Sequence, residues 1–145
     1  MYDTSTNFLN VHEWAYGATE VVHIVSLAFA IGLIFLVDLR LLGFGLARAE
    51  PARLLRATGI GSLVGLVIAI TTGFMVFSTD PVRYIGHPTM RLKLIVLGVA
   101  LAFNFAVHNR VARGEYSPLV QRLAAAVSLL LWVTVVFSGI FYAFT

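Results

Sequence analysis

The sequence predicts an all-α integral membrane protein, a four-helix bundle of up-down-up-down topology with both termini outside. Three observations predict it. Of the 145 residues, 59% are hydrophobic and 12% charged, whereas a soluble domain averages about 45–50% apolar and about 25% charged. Four apolar stretches, 18–44, 57–77, 91–111 and 119–144, each reach the roughly 20 residues that a helix needs to cross the hydrocarbon core. The basic residues are also unevenly placed: Arg40, Arg48, Arg53, Arg56, Arg110, Arg113 and Arg122 flank the joints after the first and third stretches, against Arg83, Arg91 and Lys93 at the other end. The positive-inside rule then puts the arginine-rich loops in the cytoplasm.

This composition excludes an ordinary soluble domain, a disordered chain and a collagen-like repeat. The chain has no cysteine, so disulfides, iron–sulfur clusters and thiolate zinc sites are excluded, and a metal or cofactor has to be held by His, carboxylate, Met or backbone. The pI of about 9.7 comes from a formal charge of only +3, with no dense basic patch, so the expected partner is the lipid bilayer and not nucleic acid.

Taken in order, residues 1–17 mix Tyr2, Phe8, Trp14 and Tyr16 with polar groups, which suits an external segment lying in the aromatic belt of the interface. Residues 18–145 then form a single four-span domain. The first apolar run is too long for a signal peptide, is preceded by acidic residues, and is followed by three more spans. At 100° per residue, His12, Tyr16, Glu20, His23, Ser26, Ala30 and Asp38 share one face of that helix, and polar groups in lipid turn toward the bundle interior. The second span carries a stripe of Thr58, Gly61, Gly65, Ala69, Thr72 and Gly73, read either as close helix packing or as room for a flat cofactor. The third aligns Met90, Lys93, Leu97, Leu101, Asn104 and His108, and the fourth Gln121, Ser128, Trp132, Val135, Gly139 and Tyr142.

Depth sorts the ionisable groups into two clusters. Toward the outer surface come Glu20, His23, His87 and Lys93, with His12 above them; toward the inner surface come Asp38, Arg40, Arg56, Asn104 and His108. His23 and Asp38 are separated by about 22 Å of helix, so one cluster cannot serve both ends. Each group also has a plain structural reading. Asp38 pairs with Arg40, Arg56 or His108; Arg40 snorkels to the interface; His87, in Gly86-His87-Pro88, is a solvated loop residue. His23 is the strongest ligand candidate, lying inside the lipid with Glu20 three residues earlier to orient its imidazole. The residues admit three functions: a b-type haem held by His, with Trp132 and Phe103 walling the macrocycle; copper or another divalent ion bound by His and carboxylate; or an accessory subunit of a larger membrane complex.

Glu20-Val-Val-His23, Asp38-Leu39-Arg40-Leu41-Leu42-Gly43, Thr72-Gly73, Arg91-Leu-Lys93-Leu94, Asn104 to His108 and Ser128-Leu-Leu-Leu-Trp132 resemble a widespread, largely uncharacterised bacterial family of four-span, copper-resistance-D-like proteins. A more distant similarity reaches the bacterial haem-containing protoporphyrinogen oxidases, in which His23 matches the first-helix His and Lys93 the third-helix Lys. Ile140 follows Gly139 where that four-span family commonly has Arg. The resemblance implies a His-bearing bundle with haem or metal association. The resulting expectation is a b-type haem protein of the bacterial inner membrane passing electrons within or across the bilayer to a redox partner or larger complex, with copper handling as the alternative. His23, His87 and His108 are the candidate haem or metal ligands, and Glu20, Lys93 and Trp132 the supporting residues.

Overall fold

A computed structural model describes residues 4–46 and 48–144. Its helices are α1 (Phe8–Val11), α2 (Glu13–Leu42), α3 (Pro51–Phe77), α4 (Pro81–Gly86), α5 (Pro88–Phe103), a π turn (Asn104–His108), α6 (Asn109–Arg113) and α7 (Pro118–Ala143). Four segments are long and apolar enough to cross a membrane: α2, α3, the continuous run Pro88–Arg113, and α7. The four-helix membrane bundle expected from hydropathy is therefore the architecture found.

Proline sets where the helices begin. The chain has four prolines, and Pro51, Pro81, Pro88 and Pro118 each open a helix, where the missing N–H has no intrahelical partner to lose and φ is already helical. Asp80 caps α4 by accepting from the Arg83 N–H at 3.1 Å, and Ser117 caps α7 by accepting from that of Val120 at 3.4 Å. At the other end of α2, Gly43 takes φ 90° and the Phe44 N–H donates back to the Leu39 carbonyl at 2.9 Å. This glycine-dependent cap turns the chain into the loop toward α3.

Two segments differ from the sequence reading. The first helix starts at Glu13, five residues before the apolar run, because polar interfacial residues continue a helix as readily as they end one. The preceding segment is also docked: Asn7 Nδ2 donates to the Ser78 carbonyl at 3.1 Å and Oγ at 3.0 Å, and Asn10 Nδ2 to the Thr79 carbonyl at 3.0 Å. Residues 78–89, which separate the second and third apolar stretches, contain α4, with Asp80 as its cap and Pro81 in its first turn.

α2 packs most extensively on α3, and α7 touches both α2 and α5, whereas α3 meets the third span chiefly through α6. Two apolar clusters fill the interior. One gathers Ala30, Ile31, Ile34, Leu66, Ala100, Trp132 and Val135; the other, nearer the arginine-rich end, gathers Val37, Leu41, Leu55, Ala112 and Ala125. Side chains such as Ile60, Phe74 and Leu130 lie on the outside, which suits lipid as the solvent.

The small-residue stripe on α3 resolves as packing. A Cβ at Gly65 would lie 3.0 Å from both the Ala30 Cβ and the Ser26 carbonyl oxygen, and one at Gly61 would lie 2.8 Å from Leu33 Cδ1. Backbone-to-backbone approach of this kind is what small residues in membrane helices permit, and it brings α2 and α3 into direct contact at Gly61 and Gly65.

Candidate functional site

The polar residues of the bundle occupy two separate places. The first is around His23 on α2. Its Nδ1 is 2.7 Å from the Ala69 carbonyl oxygen on α3. A carbonyl can only accept, so the ring proton is on Nδ1 and the lone pair is on Nε2. Nε2 has no hydrogen-bond partner among the described residues. Thr72 Oγ1 is 3.5 Å from Nδ1 and donates to the Ile68 carbonyl at 2.7 Å. Gly73 makes room for the ring: a Cβ there would sit 2.8 Å from His23 Cε1 and 3.1 Å from Nδ1. An imidazole with Nδ1–H fixed on a backbone carbonyl and Nε2 free is the arrangement that metal-ligating histidines use, so these residues fit an axial ligand for haem or a metal.

Glu20 does not orient the ring as expected from its spacing. It is exposed and acts on His23 only through its charge, while Ala69 on the neighbouring helix provides the hydrogen bond. The shared face of α2 is likewise interior only beyond His23: His12 is exposed, its ring tilted at 58° against Phe8 with centroids 4.7 Å apart, whereas Ala30 and Asp38 are fully buried. Lys93 is within electrostatic reach of His23 and is partly buried, with its Nζ beside Gly139. Among the described residues no carboxylate is in ion-pair distance of it.

His87 ends α4 and begins α5, and its ring meets Tyr142 edge-on at 5.0 Å. Tyr142 in turn packs on Tyr84 at 5.3 Å, Tyr84 on Phe77 at 5.8 Å, and the Tyr84 and Tyr16 hydroxyls are 3.2 Å apart. Burial pushes the Tyr84 phenol up to about 12, helped by the Tyr16 hydroxyl. His87 is thus part of an aromatic cap over the end of the bundle that carries the termini. No group of three or more His, Asp or Glu converges as a metal site among the described residues.

The second place is the buried Asp38, which is 0% exposed. Its Oδ1 is 2.7 Å from His108 Nε2, and its Oδ2 accepts from Ser128 Oγ at 2.9 Å. His108 Nδ1 lies 3.3 Å from Asn109 Oδ1, so both ring nitrogens are engaged. In this arrangement His108 is the partner of Asp38 across the bundle. The expected alternatives for Asp38 resolve in favour of His108, because Arg40 turns away and donates its Nε–H to the Ala49 carbonyl in the loop. Ser128 was missed as a partner; its only sequence signal was sharing a face with Trp132. The latter is 1% exposed at the centre of the apolar core, where it fills volume and walls no open slot.

The π turn belongs to this second place. The Asn109 N–H donates to the Asn104 carbonyl five residues back, a widened turn of the kind found within helices at functional positions. Asn104 and His108 begin and end the turn, and both are buried.

Residues 4–145 match the family of unknown function DUF6644. The chain is a member of that family. No curated protein and no solved structure matches it.

Proposed function

We propose that this membrane protein holds a b-type haem through His23 and passes electrons within or across the bacterial inner membrane, to a redox partner or as part of a larger complex. The observation that carries the reading is the His23 ring, with Nδ1–H held by the Ala69 carbonyl at 2.7 Å and Nε2 without a hydrogen-bond partner among the described residues. Lys93, partly buried and with no carboxylate in ion-pair distance among the described residues, supplies the positive charge that haem propionates need near a membrane boundary. A haem so bound supplies a one-electron couple whose potential depends on its axial ligand and the polarity of its surroundings. The protein's own contribution is to fix the imidazole tautomer through Ala69, to keep the ring at the α2–α3 interface through Gly73, and to exclude water with the aromatic cap of Tyr84, Tyr142 and His87. The same reading fits the distant resemblance to the bacterial haem-containing protoporphyrinogen oxidases.

The test is a visible spectrum of the detergent-purified protein, oxidised and reduced. Sharp bands appear on reduction, and His23→Ala removes them while His12→Ala keeps them. A His23→Ala protein with wild-type haem stoichiometry overturns the assignment; a colourless wild type that takes up copper points to metal handling, and one that takes up neither points to an accessory subunit. For orientation, reporter fusions at residues 51 and 114 read cytoplasmic if the arginine-rich loops lie inside; external signals there would invert the bundle.

A further inference from the structure

At the arginine-rich end, α3 and the end of the third span enclose a cavity of about 280 Å³. Its lining is chemically asymmetric. Arg56 of α3 and Arg113 of α6 contribute two guanidiniums, and none of the described lining residues is a carboxylate; Asp38 lies behind His108, already held by His108 and Ser128. Asn104 also lines the cavity. It is 4% exposed, and its Oδ1 is buried with no hydrogen-bond partner among the described residues. An orphaned buried acceptor costs about 1–3 kcal/mol and calls for a donor that enters the cavity. The remaining wall includes Ile60, Leu63 and Phe105, all exposed on the outer face of the bundle, so the cavity is continuous with the lipid-facing surface.

Depth orders these groups. Asn104 precedes Arg113 by about 13 Å of helix, on the bilayer side. An occupant therefore has to present an anion near the boundary, a hydroxyl or other donor deeper, and an apolar chain deeper still or to the side. A volume of about 280 Å³ is at the bottom of the range for small-molecule pockets, enough for a head group and the start of one chain.

We propose that this cavity binds a single-chain phospholipid, with its phosphate between Arg56 and Arg113, its free glycerol hydroxyl donating to Asn104 Oδ1, and its acyl chain running along Ile60, Leu63 and Phe105. Arginine forks match phosphate oxygens bidentately, and basic pockets between membrane helices are used for anionic head groups. This site is separate from His23 and does not depend on a haem.

The experiment measures binding to the purified full chain in neutral detergent by native mass spectrometry, with thermal stability as a second readout. The probes are oleoyl lysophosphatidic acid, oleyl phosphate, which lacks the hydroxyl, oleoyl lysophosphatidylcholine, which is zwitterionic, and glycerol 3-phosphate, which lacks the chain. Lysophosphatidic acid binds roughly 10-fold tighter than oleyl phosphate, as a hydrogen bond to a buried acceptor provides, and tighter still than lysophosphatidylcholine. Asn104→Leu removes the hydroxyl preference and keeps the phosphate preference. The double variant Arg56→Gln/Arg113→Gln removes the anion preference, and Arg56→Lys/Arg113→Lys retains part of it. Both arginines are exposed, so these variants decide the matter if Asn104→Leu does not fold. Equal binding of anionic and zwitterionic probes, or an anion preference that survives the double Gln variant, overturns the proposal. Competition by glycerol 3-phosphate as strong as by the lipid would replace the lipid with a soluble phosphate ester.

Discussion

His23 and His108 are both histidines in apolar membrane helices, and the bundle treats them in opposite ways. His23 spends one nitrogen on the Ala69 carbonyl and leaves the other without a hydrogen-bond partner among the described residues. His108 spends both, on Asp38 at 2.7 Å and on Asn109 at 3.3 Å. The first ring is half-buried at an interface between two helices; the second is 1% exposed inside the bundle. A ring with an unused lone pair can take a ligand, whereas a ring locked between a carboxylate and an amide ties α2, α7 and the third span into one arrangement.

The sharpest way to break this comparison is at Asp38. Removing one member of a buried pair leaves the other charged or polar group uncompensated, typically at about 3–5 kcal/mol. Asp38→Ala therefore produces a large loss of thermal stability in detergent, and His108→Ala added to it costs little more, since the partner is already lost. Asp38→Asn retains an acceptor and loses less, but still more than the exposed control Glu50→Gln. Additive single and double effects would show that the pair does not couple the helices.

An intermediate effect is expected at Gly73. A Cβ there collides with His23 at 2.8 Å from Cε1, so Gly73→Ala displaces the ring from Ala69. If His23 holds a haem, as proposed, its affinity then falls about 10-fold or more, as on loss of an interaction that orients a ligand. The control is Gly59→Ala on the same helix, where a Cβ meets nothing within 4 Å. Equal haem retention in the two variants would separate the ring geometry from cofactor binding.

The smallest effect concerns the aromatic cap. The Tyr84 phenol is held neutral up to about 12 against an ordinary value of 10.0. The folded state thus keeps a proton that the unfolded state loses, and stability is full below about pH 10 and falls as pH rises from there toward 12. Ultraviolet phenolate titration should show Tyr84 titrating late, and Tyr16→Phe should bring it earlier by removing the hydroxyl neighbour. An unchanged titration in Tyr16→Phe would detach α2 from the cap.

The four spans and the inward faces of Asp38, Ser128 and Trp132 were readable along the chain, because each depends on local properties: apolar length and the 100° helical repeat. The glycine stripe was readable as a pattern but ambiguous in meaning until Ala30 and the Ser26 carbonyl were found against Gly65. Glu20, three residues from His23, appeared to be its partner because spacing within a helix is all that a sequence displays; the acceptor that holds the ring is a backbone carbonyl 46 positions away, which no residue type announces. The choice of His108 over Arg40 and Arg56 was of the same kind. Hydropathy and helical period determine which groups enter the membrane and which way they face. Which of them meet depends on the rotation and depth of each helix against its neighbours, and only the packed bundle decides that.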